Sequence, residues 1–194
     1  MLRGIVLAAA MAVLLGAGCA SAAERFGNFV VYPESADVIG LDGEIDTNII
    51  HEFHEAMAAR PHAKVVVLQS RGGYVDQALA LAAEIRQLGL STAIPRSASC
   101  YSACTFLFFA GREHVVRGNL GVHHVAQSDA EDGVGVYDGD VRDALARYGA
   151  TAPVIRAMVS TPPSDLHVFT SHEISSFSIN RGSTSCLAAK YASM

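Results

Sequence analysis

The chain has 194 residues, 51% of them apolar, and a formal net charge of −5. That apolar share excludes a disordered chain and is enough to bury a sizeable core. With 19 acids against 14 bases, no basic run and no aromatic–basic interleaving, the composition offers no electrostatic footing for nucleic acid.

Residues 1–23 read as a signal peptide lying outside the fold. Arg3 supplies the positive end, Ile5 to Ala17 the apolar run, and Ala20-Ser21-Ala22 the small-x-small cleavage site. The run is short for a bilayer span. The expectation is an exported chain, periplasmic or secreted, with residues 24–194 as a single domain. The alternative is a lipid anchor on Cys19, although Gly16 stands where lipoprotein signals usually carry a large aliphatic residue. An exported chain meets an oxidising compartment. Of the cysteines left, Cys100, Cys104 and Cys186, the pair Cys100–Cys104 is the candidate disulfide, and the odd number leaves one thiol over. C-x3-C with one distant cysteine lacks the spacing of a structural zinc site, so neither a metal nor a cofactor is expected.

Phe29–Tyr32 and Val38–Leu41 read as short strands separated by Pro33. Asp46 or Thr47 is placed to cap a helix from Asn48 to about Arg60, with Ile49, Ile50, Phe53, Ala56 and Met57 on its apolar face. His51 and Glu55 lie four apart on its polar face. The H-E-F-H-E run is not H-E-x-x-H, and it reads as a solvated pair. Val65–Leu68 is a continuous β-branched run, the pattern of a strand buried on both faces. Gly72-Gly73 follows, then helical spacing from Val75 to Gly89, then a strand at Ser91–Ile94. This is a βαβ unit with parallel strands and a right-handed crossover. Its two glycines permit positive φ and let a ligand approach backbone amides, and a tight turn uses them equally well.

Ser97–Gly111 begins as a polar loop of small residues and becomes the apolar run Thr105–Ala110, a loop handing over to a buried helix. Ser102 sits at the handover, near the unpaired amides of the first turn, where a serine nucleophile would find donors and access from one side. Small residues there also serve close packing of a buried helix. His114–Val116 and Leu120–Val125 read as strands, and Gln127–Gly135 as a polar Gly-rich loop. Val141–Tyr148 and Pro153–Val159 read as helices. Asp165–Thr170 reads as a short strand, and Ser171 is placed to cap a last helix containing Glu173.

In order, the chain carries a strand running into Ser70-Arg71-Gly72-Gly73, then Cys100-Tyr101-Ser102-Ala103 opening a helix that ends in Ala110-Gly111, then a strand with His123-His124. This resembles the proteolytic subunit of the Clp protease and its relatives in the Clp/crotonase superfamily, and it is most similar to exported Clp-protease-like proteins. The resemblance covers roughly Ile39 to Gly182. It implies an α/β fold, a Clp/crotonase-like stack of ββα units with a mostly parallel sheet and flanking helices. Ser102 stands nine residues before Gly111, where the family places its nucleophile. The resemblance also implies His123 as general base, oxyanion donors at Gly72, Gly73 and Ala103, and a peptide or protein substrate. A homo-oligomer is in keeping with the family; an ATPase partner is not expected outside the cytoplasm.

The chain departs from the family pattern in four places. Arg71 replaces the motif's proline, and cysteines flank Ser102. The family aspartate would fall near Thr161 or Pro162, and Asp165, the nearest acid, is the candidate third catalytic residue that orients the imidazole. A shorter spacing leaves His123 and His124 unseparated by alignment, but adjacent strand residues face opposite sides, so both cannot reach Ser102. A Ser–Lys pair is disfavoured, since Lys64 and Lys190 are the only lysines. The expected function is an exported serine hydrolase of peptidase type. The alternatives are a non-catalytic Clp-fold envelope protein and, less favoured, a crotonase-like acyl-thioester enzyme.

Overall fold

A computed structural model describes residues 23–125, 138–182 and 190–191. The expected signal peptide, the 127–135 loop and Cys186 therefore lie outside the described residues, apart from Ala23. In chain order the elements are β1 (Glu24–Phe26), β2 (Phe29–Val31), β3 (Val38–Asp42), α1 (Ile49–Ala59), β4 (Val65–Gln69), α2 (Val75–Gln87) and β5 (Ser91–Ile94). They continue with β6 (Ser99–Tyr101), α3 (Cys104–Ala110), β7 (His114–Val116), β8 (Asn119–Val122), α4 (Asp138–Tyr148), α5 (Ala152–Ser160), β9 (His167–Val168) and α6 (Ser171–Ser176).

One sheet has the order β1-β2-β3-β4-β5-β7. Its first three strands pair antiparallel, and β3, β4, β5 and β7 run parallel. A second sheet, β6-β8-β9, has β6 parallel to β8 and β9 antiparallel to it. The parallel strands are buried almost throughout, as the β-branched run at Val65–Leu68 requires. One face carries the main core with α1, α2 and α3. The other carries a small cluster of Val38, Val65, Ala93 and Val115 under Tyr191, whose hydroxyl hydrogen-bonds Asp37. This is the mostly parallel α/β architecture that the motif order implies.

Helix α3 is buried at every position from Cys104 to Ala110. A helix that is apolar all round can only sit in a core. Its ends must still satisfy their backbone groups. The Phe108 carbonyl accepts from Thr92 Oγ1 at 2.7 Å and the Phe109 carbonyl from Arg86 at 3.2 Å. The same arginine donates to the Tyr148 carbonyl at 3.1 Å, tying α2 to α3 and α4.

Several expectations shift locally. Strands β1 and β6 are additional; both are three residues long, and Ser99–Tyr101 carries no apolar alternation that marks a strand. Strand β8 stops at Val122, not Val125, and β9 holds only His167 and Val168. The cap of α6 is Thr170, not Ser171: its side chain accepts from the Glu173 N–H while Glu173 accepts from the Thr170 N–H, a capping box. The hydrogen bonds from Thr170 hold the Glu173 carboxyl below its ordinary range. Asp46 accepts from the Asn48 N–H at the start of α1, but Asn48 is the N-cap residue. His51 and Glu55 sit 3.7 Å apart on the exposed face, the solvated pair their spacing suggested.

His114 is 1% exposed, edge-on to Phe108 and Phe109, with Nδ1 3.2 Å from the Gly111 carbonyl. Burial pushes its pKa down to about 4, so the folded chain holds it neutral. The unfolded chain takes up this proton near the ordinary value of about 6.5. Stability from this group is therefore complete above that pH and is lost as pH falls toward 4, by up to about 3 kcal/mol. Urea unfolding of wild type and His114→Phe at pH 7 and pH 4 should show a smaller pH-dependent loss in the variant. Equal losses in the two proteins would remove His114 from the acid response.

Candidate active site

The two sheets meet at one residue. Ser70, just past β4, forms a parallel bridge with Cys100 of β6. The Ser70 N–H donates to the Ser99 carbonyl at 2.8 Å, and the Tyr101 N–H donates to the Ser70 carbonyl at 3.0 Å. This places the turn after β4 beside the turn after β6. Both lie at the carboxyl ends of parallel strands, where open α/β sheets bind ligands.

The first turn is Gly72-Gly73, with φ of +102° and +147°. A Cβ on Gly72 would lie 2.9 Å from Ser102 Cβ and 3.1 Å from the Ala103 nitrogen. A Cβ on Gly73 would lie 2.1 Å from the Ile45 carbonyl oxygen. Glycine is therefore required twice, by backbone conformation and by close approach. The buried Ser70 hydroxyl accepts from the Gly72 N–H at 3.1 Å. The Ile45 N–H bonds the Gly72 carbonyl and the Tyr74 N–H bonds the Ile45 carbonyl, both at 2.8 Å, which turns the Gly73 N–H away from Ile45.

The second turn is Tyr101-Ser102-Ala103. Ser102 has φ +53°, one of two non-glycine residues at positive φ among the described residues. Its N–H donates to the Gly121 carbonyl at 3.0 Å and its own carbonyl accepts from Thr105 at 2.9 Å. The residue is half-buried. The turn places Ser102 two residues before α3 rather than inside its first turn. Among the described residues, neither the Gly73 nor the Ala103 N–H forms a hydrogen bond. Of the three expected oxyanion amides, these two are free and Gly72 is engaged.

Strand β8 lies parallel beside β6, with Tyr101 opposite Gly121. Ser102 and His123 therefore leave the ends of neighbouring strands on the same edge. His123 Nδ1 lies 2.9 Å from the His124 carbonyl. A carbonyl only accepts, so Nδ1 carries a proton, and in the neutral ring the lone pair is then on Nε2. His123 and His124 both follow the end of β8, so strand alternation does not separate them. What differs is that the His124 N–H is tied to the Thr161 carbonyl at 2.8 Å. Asp165 is exposed in the turn before β9, where its N–H bonds the Pro162 carbonyl and its carboxylate accepts from Ser164. Cys100 and Cys104 are joined, with Cα atoms 5.3 Å apart, so the expected disulfide brackets Ser102. Lys64 precedes β4 and Lys190 contacts Tyr191 above Asp37, both at the opposite edge of the sheet.

Two contributors were not singled out from the sequence. The role of Ser70 is hinted by the serine two residues before Gly72. The His124 carbonyl has no side-chain signature at all. Elsewhere, a polar cavity of about 830 Å³ opens near the amino ends of β6 and β8, lined by Arg96, Arg117, Asn119, Ser171, Ser175 and Asn180 among others. It does not include Ser102.

The sequence matches no protein-family model and no curated protein. Among solved structures the chain is similar to the 1510-N membrane-bound stomatin-specific protease. One match is a serine-to-alanine variant, with TM-score 0.53, 16% identity, and 74% of this chain and 75% of that chain covered. Another is a lysine-to-alanine variant in complex with a substrate peptide, with TM-score 0.53, 16% identity, and 74% and 71% covered. The Clp/crotonase-like fold implied by the motif order is the fold of the chain.

The glycine geometry sets a stability prediction. Gly73→Ala meets both an unfavourable φ and the Ile45 carbonyl, and should lower unfolding free energy by about 1–3 kcal/mol. Gly89→Ala, at φ +65° with nothing within 4 Å of the added carbon, carries the conformational cost alone. In parallel urea titrations the Gly73 variant should unfold at the lower midpoint, and equal midpoints would contradict the packing of the turn against Ile45.

Proposed function

We propose that the chain is a serine hydrolase acting on peptide bonds, with Ser102 as nucleophile and His123 as general base. The observation that carries this reading is Ser102 held at positive φ against the Gly72-Gly73 turn, with two unengaged amides beside it. Ser102 Oγ attacks the scissile carbonyl carbon and its proton passes to His123 Nε2. The carbonyl oxygen becomes an oxyanion that accepts from the Gly73 and Ala103 N–H groups. His123 then protonates the departing amine, and a water activated by the same imidazole hydrolyses the acyl-serine ester. The His124 carbonyl orients the imidazole on its Nδ1 side, the position an aspartate fills in a triad, and Asp165 is spared that role.

Peptide is the proposed substrate class because the similar solved structures are of a protease, one of them holding a substrate peptide. The rim of the site suits apolar side chains. Tyr74, next to Gly73, is 59% exposed, and Leu166, against Gly121, is 40% exposed. The proposed location is outside the cytoplasm, supported by the pattern of residues 1–23 and by the disulfide. A second reading, a binding protein on a Clp-like fold, rests on the arginine-lined cavity, which has no carboxylate among the described residues of its wall.

A fluorophosphonate probe tests the nucleophile. Wild type should label at a single serine, and Ser102→Ala should not label. His123→Ala should slow labelling by about 10²-fold or more, while Asp165→Ala should leave it nearly unchanged. Absence of labelling in folded, oxidised wild type, or labelling that survives Ser102→Ala, would leave the binding reading in its place.

A further inference from the structure

We infer that the Cys100–Cys104 disulfide is a positioning element for the Ser102 hydroxyl and the Ala103 amide, so that the site is assembled only in the oxidised chain. This rests on the hydrolase reading above and adds a condition to it. The two sulfurs belong to residues anchored in different elements. Cys100 is held in β6 by the bridge to Ser70 and by pairing with Leu120. Cys104 is the first residue of the buried helix α3. Between them lie only Tyr101, Ser102 and Ala103, the residues that turn the strand into the helix.

That turn contains a non-glycine residue at φ +53°. A conformation of this kind persists only where its surroundings over-determine it. Two backbone hydrogen bonds hold Ser102, one on each side. The disulfide adds a covalent closure around the same three residues. With the bond open, Ser102 is free to relax to negative φ, and the rotation would carry the Ala103 N–H away from the Gly73 turn. A crosslink over so short a loop restricts the unfolded chain little compared with longer loops. Its effect is therefore expected in local geometry more than in global stability.

Formation requires an oxidant. The Cys100 and Cys104 thiols give up two protons and two electrons to a partner disulfide, such as that of a thiol–disulfide oxidoreductase or oxidised glutathione, which becomes two thiols. Both cysteines are 0% exposed. A reductant reaches the bond only after local opening, so the device acts as a condition of assembly rather than a rapid switch.

The test compares full-length wild type with Cys100→Ala/Cys104→Ala. Fluorophosphonate labelling of Ser102 should slow by about 10²-fold in the variant, the scale of a small misplacement of reacting groups, while far-UV circular dichroism is unchanged. Backbone amide exchange across residues 99–105 should be faster than in wild type. Labelling and exchange at wild-type rates would overturn the inference. If the double variant does not fold, wild type reduced with a phosphine and then re-oxidised with oxidised glutathione replaces it: labelling should be lost and then restored, and labelling unaffected by reduction overturns the inference. If oxidised wild type does not label at all, the hydrolase reading fails. The exchange comparison then decides the positioning claim alone, with equal protection in the two forms counting against it.

Discussion

The geometry of the candidate site depends on the backbone bridge between Ser70 and Cys100. Two hydrogen bonds, from the Ser70 N–H and to the Ser70 carbonyl, join the large sheet to the small one. Without them the glycine turn after β4 and the serine turn after β6 belong to separate sheets. With them, a Cβ at Gly72 would come within 2.9 Å of Ser102 Cβ, and only glycine fits. Ser70 contributes a third bond through its hydroxyl, which occupies the Gly72 N–H, while the neighbouring Gly73 N–H forms no hydrogen bond among the described residues. One small buried residue thereby joins the sheets through its backbone and engages the Gly72 amide through its side chain.

The second constraint is the burial of α3. A seven-residue helix, apolar except for Thr105 and buried at every position, is held in the core by its neighbours rather than by its own propensity. Thr92 and Arg86 satisfy its last carbonyls, and His114 packs beside it as a neutral ring. The helix cannot move without disturbing β5, α2 and β7 together. Its start is tied back to β6 by the Cys100–Cys104 bond. A reactive hydroxyl on a mobile loop would gain little from nearby amides, because stabilising a developing charge depends on donors already in place. Here the loop is three residues between a paired strand and a fully buried helix.

The histidine side follows the same economy. A carboxylate partner is what a triad leads one to seek, and Asp165 is the nearest acid in sequence. In the fold Asp165 is bonded within its own turn, and the imidazole is oriented by the carbonyl of the next residue. A backbone carbonyl fixes the tautomer as a carboxylate does but adds no full negative charge to favour the imidazolium. This arrangement needs no second element to be brought into contact.

Much of this was legible in the residues. The β-branched run at Val65–Leu68, the helical spacing of Val75–Leu88 and the apolar block before Gly111 each follow from local periodicity, because burial on two faces, one face or all faces leaves a different pattern. The order of the glycine turn, the serine turn and the histidine strand was enough to indicate a Clp/crotonase-like fold. Strand β6 was not legible: Ser99-Cys100-Tyr101 has neither length nor alternation, and it is a strand only because Ser70 and β8 are there to pair with it. The end of β8 at Val122, the engagement of Gly72 by Ser70 and the His124 carbonyl facing His123 were equally out of reach. Backbone carbonyls and amides are the same at every residue. The sequence by itself determined which side chains are candidates for the site and which segments are buried; the tertiary structure alone decided which amides are left unpaired and which group orients the imidazole, since those depend on how the backbone is folded and paired.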